Sequence, residues 1–62
     1  MGDEKLLTIG EVAAYLDVPV ETLRKWRAQR QGPKAIKLGR HLRYRPEDVD
    51  QWVTEQEANG DG

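Results

Sequence analysis

Most of the residues in this chain that can do chemistry are cations, and they are gathered in one stretch. Between Thr22 and Pro46 stand Arg24, Lys25, Arg27, Arg30, Lys34, Lys37, Arg40, Arg43 and Arg45, with no aspartate or glutamate among them. The rest of the 62 residues holds one further base, Lys5, against all eleven acids. The net charge of −1 therefore conceals a strongly dipolar chain. A solvated mixed-charge surface would intersperse the two signs. Segregation of this kind suits a face that meets a polyanion, with nucleic acid as the first candidate.

Other chemistries are poorly provided for. The absence of cysteine excludes a disulfide framework and a thiolate zinc site. His41 is the only histidine, so a multi-histidine metal centre is excluded too. Glu47, Asp48 and Asp50 read as a helix start and its solvated face rather than as paired catalytic carboxylates. The expectation is a non-enzyme that needs no cofactor or metal. No apolar run approaches the roughly 18 residues of a membrane span, and the N-terminus has no signal-type apolar segment. A soluble intracellular domain with no membrane partner is expected. Sixty-two residues make one domain, 1–62, and a marginal one, since a chain this short buries only about 60% of its unfolded surface. Residues 1–5 and 58–62 are expected to be frayed tails, and the polar end from Glu55 onward is expected to fray with them.

The elements that must position the cations begin at Thr8. Ile9, Val12, Ala13 and Leu16 recur at i, i+3, i+4 and i+7, which predicts a helix over 9–16. Thr8 and Glu11 form a capping box, and Leu7 and Val12 fall where a hydrophobic staple clamps the entry. Tyr15 lies off the apolar stripe. Half-buried packing at the rim is the reading preferred for it, with a contact to phosphate or to a second subunit as the alternative. Asp17 occupies a turn position that calls for a left-handed backbone, tolerated by Asp better than by most residues. Pro19 stands where a capping Ser or Thr would serve the next helix and cannot cap it. That helix carries Leu23 and Trp26 inward and Glu21, Thr22, Arg24, Lys25 and Ala28 outward. Small Ala13 permits close helix crossing, and Val18 fills the turn. This is a helix-turn-helix, in which the second helix is presented to the major groove.

Gln31-Gly32-Pro33 is read as the end of the second helix, with Gly32 at or just past its C-cap. A hairpin follows over Ala35–Tyr44. Keeping the apolar residues on one face favours a three-residue loop, Gly39-Arg40-His41. That loop pairs Leu38 with Leu42 and Ile36 with Tyr44 inside, and leaves Lys37 opposite Arg43 outside. Such a like-charge pair is destabilising unless a phosphate lies between the two. Pro46 at N1 and Glu47-Asp48 behind it open a third helix, with Val49, Trp52 and Val53 as its apolar stripe. Both tryptophans fall on apolar stripes, so core packing is preferred over base stacking. The predicted fold is mainly α with a small β-hairpin: a winged helix-turn-helix of three helices and a two-stranded wing.

The segments LLTIGEVAAYLDVPVETLRKWR and KLGRHLRYRPEDVDQWV resemble the small winged-helix excisionases of phages and mobile elements, within the broader MerR-like group. The resemblance runs from Leu6 to about Gln56. Its most specific part is Leu38-Gly39-Arg40 with Arg43-Tyr44, followed by Pro46-Glu47-Asp48-Val49. Asp17 and Pro19 depart from the pattern. MerR-like regulators continue into a long dimerisation helix and an effector domain, and the 62 residues end before either. The resemblance implies a recombination directionality factor in the bacterial cytoplasm, associated with the nucleoid. Such a protein binds and bends attachment-site DNA, often cooperatively on tandem sites, so that an integrase partner assembles for excision. A small transcriptional regulator of the same fold is the alternative, and a protein-interaction module without a DNA role is the third reading. In the leading reading the partner is double-stranded DNA. Arg24 and Lys25 meet base edges or adjacent phosphates, with Glu21, Thr22 and Ala28 close by. Arg27 and Arg30, nearer the core side, grip the backbone. Arg40 and His41 enter the minor groove or track phosphates. Lys37, Arg43 and Arg45 are backbone contacts, and Lys34 belongs to the same basic face.

Overall fold

The computed structural model describes residues 5–59. The elements follow in the order β1 (Leu7–Thr8), α1 (Ile9–Leu16), α2 (Val20–Ala28), β2 (Ala35–Leu38), β3 (His41–Tyr44) and α3 (Pro46–Asn59). Three helices and a small antiparallel sheet make the mainly helical, winged fold that the sequence patterning predicts. Of the expected tails, residues 1–4 and 60–62 lie outside the described residues. The stretch from Glu55 to Asn59 is helical, a continuation of α3, where fraying is the sequence expectation.

α1 forms as its local signals dictate. Thr8 Oγ1 accepts from the Glu11 N–H at 3.0 Å, and Glu11 Oε1 accepts from the Thr8 N–H at 2.8 Å. Two N–H groups that the helix itself cannot pair are satisfied reciprocally. Val12 and Ala13 are buried. Asp17 ends the helix in the left-handed region at φ 62°. The Val18 N–H reaches back to the Ala13 carbonyl at 3.0 Å, which sets the tight entry to the next helix.

α2 is built differently. Pro19 is its N-cap and offers no side-chain hydrogen bond. The expected end at Gly32 is wrong by several residues. Helix ends are closed by whichever residue takes the left-handed conformation, and here it is Arg30, at φ 61°. The C-cap is Gln29. The Arg30 N–H donates to the Arg27 carbonyl at 3.0 Å, and the Gln31 N–H to Trp26 at 2.6 Å. Those two bonds are a Schellman closure with arginine in glycine's place. Gly32 has a separate duty. It sits at φ +82°, and a Cβ on it would lie 3.1 Å from Trp26 Cβ, so the loop closes over the indole only with glycine there.

The sheet has three strands, in the order β1-β3-β2. The two-residue strand β1, too short to show a period, pairs Leu7 with Tyr44 and Thr8 with Arg43. The wing's base is thereby tied to the entry of α1. In the wing, Ala35 pairs with Tyr44, Ile36 with Arg43, Lys37 with Leu42 and Leu38 with His41. The loop is therefore Gly39-Arg40 alone, and the expected three-residue loop and its register are both wrong. Gly39 has φ +64°, which suits a two-residue turn with glycine first. The face argument failed because burial fades along the hairpin. On the core face Tyr44 is buried and Ala35 packs, but Lys37 beyond them is exposed, and Leu38 and His41 lie on the other face. Where no core covers the sheet, the turn decides the register. Lys37 and Arg43 consequently lie on opposite faces, and the phosphate bridge between them has no geometric basis.

α3 starts at Pro46, with the Asp48 and Val49 N–H groups donating to the Arg45 carbonyl. Val49 completes a core of Val12, Ala13, Leu23 and Tyr44, against which Leu7, Ile9, Leu16, Val18, Val20, Trp26 and Ala35 pack. Trp26 and Trp52 stack on each other at 5.3 Å between ring centroids, tilted by 43° and each half-buried.

Candidate nucleic-acid interface

The basic segment spans α2, the loop after it and the wing, and the fold sorts its cations into two grooves. One, of about 230 Å³, runs between the free part of β3 and the helix pair. Arg24 of α2 meets Arg40, His41 and Arg43 of the wing there, with Thr8, Ile9 and Leu42 completing the walls. β1 makes this groove possible, since it pairs with β3 only at Arg43 and Tyr44 and leaves the edge at His41 and Leu42 open. Arg24, Arg40 and His41 are exposed, whereas Arg43 is half-buried. The Arg43 guanidinium donates through Nη1 to the Leu42 carbonyl at 2.8 Å, which orients it along the strand. The first-turn N–H of Glu11 is already taken by Thr8. The Glu11 carboxylate is held below its ordinary range, chiefly by the Thr8 N–H and further by Lys5 and Arg43.

The second groove, about 480 Å³, lies at the far end of α2, where Arg27, Arg30 and Lys34 gather around Gln31, Gly32, Pro33 and Ala35. Arg27 and Arg30 are both exposed. Arg27 lies close enough to Tyr44 to oppose the upward shift that burial gives the Tyr44 hydroxyl. Of the other expected site residues, Ala28 is exposed and lines the second groove, whereas Lys25, Lys37, Arg45 and Glu21, the last in the first turn of α2, are exposed and line neither. Thr22 is half-buried.

Tyr15 corrects another expectation. It is 61% exposed rather than half-buried. Its hydroxyl donates to Asp50 Oδ1 at 3.0 Å, a tie from α1 to α3, and that bond raises the Tyr15 pKa. Sequence reasoning also passed over Thr8 and Ile9 as groove walls. Their only signal is the strand pairing that brings them to the wing.

A family model for helix-turn-helix domains matches residues 6–57. The chain belongs to that helix-turn-helix family. No curated protein matches it. The helix-turn-helix domain is a winged, DNA-binding, non-catalytic module, with α2 in the place of the second helix and the β2–β3 hairpin as the wing. Among the described residues no group of three or more His, Asp or Glu side chains is placed to hold a metal ion. No described helix is long and apolar enough to cross a membrane.

Proposed function

We propose that this domain is a small transcriptional regulator that recognises a specific duplex site, with α2 as reader and the wing as grip. The observation that carries the reading is the groove in which Arg24 of α2 and Arg40, His41 and Arg43 of the wing converge, on a domain of a DNA-binding family. Arg24 and Lys25 approach base edges in the major groove, flanked by Glu21, Thr22 and Ala28. Arg27, Arg30 and Lys34 hold the backbone on one side of that contact. Lys37, Arg43 and Arg45 hold it on the other, and Arg40 and His41 reach the adjacent minor groove. With five or six phosphates engaged at once, log K against log salt has a slope of about −4.5 to −5.4. The test is a titration on a site selected from random duplexes. Arg24→Ala costs roughly 1–3 kcal/mol on that site and blurs its preference, while Lys34→Ala weakens all sequences alike. A slope near zero, or an Arg24→Ala that weakens selected and random duplexes equally, overturns the assignment.

Charge favours a second reading, a directionality factor that acts with an integrase. α3 carries Glu47, Asp48, Asp50, Glu55 and Glu57 and no base. On tandem sites the acidic helix of one copy meets the basic wing of the next, and a shared duplex makes a weak contact sufficient. Cooperative binding to adjacent sites that is lost when they are moved half a helical turn apart supports this reading. Independent binding to both arrangements leaves the regulator.

A further inference from the structure

Leu38 is 48% exposed, and it is not among the residues that pack on the core. Tyr15 is the other large apolar side chain left open among the described residues, and its hydroxyl is already committed to Asp50. A lone exposed leucine is ordinary in itself. The surroundings of this one are not. It is the last residue of β2, directly opposite His41, and the tight turn Gly39-Arg40 follows it at once. Exposed Lys37, Arg40 and His41 surround it. A Cβ at Gly39 would meet nothing within 4 Å, so no other element crowds the turn. Ile36, on the same face and half-buried beside Arg43, continues the aliphatic row toward the base of the wing.

An apolar side chain at the point of a slim cationic hairpin has the make-up of a wedge. The minor groove is only about 6 Å wide and strongly negative, which admits a bare turn flanked by cations and excludes a broad one. Once there, an aliphatic group gains by leaving water for the faces of two base pairs. The cost is partial unstacking of one step, lowest at TA and CA/TG steps. The two-residue turn is essential, because a three-residue loop would have turned Leu38 inward.

We propose that Leu38 enters the minor groove beside the α2 contact and parts a base step, so that the wing kinks the duplex as well as gripping it. This rests on the duplex-binding reading and adds to it a residue with a distinct role. The experiment uses the full chain and a site selected from random duplexes, with 2-aminopurine placed in turn at each step across the wing side. The wild-type protein raises the fluorescence at one step, a pyrimidine–purine step. Leu38→Ala abolishes that rise and weakens binding about three- to tenfold, with the melting temperature unchanged. Leu38→Met restores both. Binding by the wild type without a rise at any step, or a rise that survives Leu38→Ala, overturns the wedge and leaves the duplex reading standing. Failure to bind any selected duplex removes the duplex reading itself. If Leu38→Ala instead dissociates a free dimer in sedimentation while the kink persists, Leu38 serves contact across the open edge of β2, and the wedge is likewise overturned.

Discussion

α1 and α2 are of nearly equal length, eight and nine residues, yet they are held in opposite ways. α1 is closed by its own sequence: a reciprocal capping box at one end, an Asp-tolerated left-handed residue at the other, and two buried residues between. α2 has an uncapped proline entry, an arginine in the left-handed position at its exit, and one buried residue, Leu23. The helix that faces solvent with its cations is therefore the one its neighbours must hold in place. A surface kept for a partner cannot also be spent on local stability, so the cost is carried by the adjoining helix and by the core.

The largest effect that sharpens this contrast is Leu23→Ala. Alanine is the best helix former, so propensity favours the variant and any loss reports packing. Leu23 is 1% exposed in the centre of the core. Truncating a buried leucine costs about 2–5 kcal/mol, comparable to all that a single core of this size supplies. Urea unfolding with circular dichroism should find the variant largely unfolded in buffer. A loss below about 1 kcal/mol, well short of the range for buried leucines, would mean that α2 stands by itself and the contrast is misplaced.

The limits of what the sequence made legible follow the same division. The helix pair could be read because its signals are local: the period from Ile9 to Leu16, the Thr8–Glu11 box, the proline at the start of α3. The wing could be recognised but not registered. Alternation fixes register only where a core covers one face, and Leu38 and His41 lie beyond that cover, so the glycine-first turn decides instead. β1 escaped notice because two residues carry no period, and its pairing with Tyr44 is non-local. Four of the expected contact residues do gather in one groove, Arg24, Arg40, His41 and Arg43. Arg27, Arg30 and Lys34 make a separate one, which a linear charge count does not distinguish.

Arg30 gives a smaller effect with opposite signs in two assays. A non-glycine residue in the left-handed region costs roughly 1–2 kcal/mol. Arg30→Gly relieves that strain, less the extra freedom glycine gains on unfolding and the loss of a cation near the negative end of α2. The net is a gain of about 0.5–1 kcal/mol, a rise of about 3–6 °C in melting temperature for a chain this size. Duplex binding should weaken for all sequences at the same time, because the exposed guanidinium beside Arg27 and Lys34 is gone. Higher stability with unchanged binding would show the arginine to be idle. Lower stability would show that its side chain closes the helix in some way the backbone bonds do not.

The smallest effect lies at the entry of α1 and is a matter of pH. The Glu11 carboxylate accepts from the Thr8 N–H, and this bond, with Lys5 and Arg43 adding to it, holds its pKa below the ordinary value of 4.5. A group whose pKa is lower folded than unfolded binds more protons in the unfolded chain. Its contribution is therefore fully present above that ordinary value and is lost as the pH falls through the folded pKa. Glutamine can keep the reciprocal cap but cannot titrate. The difference in unfolding free energy between wild type and Glu11→Gln should thus be flat from about pH 7 to about pH 5 and shrink below it. Acid titration of the two proteins by urea unfolding measures that difference directly, with every other carboxylate common to both. A difference that stays constant down to about pH 3 would mean the box is held by the Thr8 hydroxyl alone. In that case the charge of Glu11 acts neither on the helix entry nor on Arg43, since either interaction lowers its folded pKa and makes the difference fall with acid.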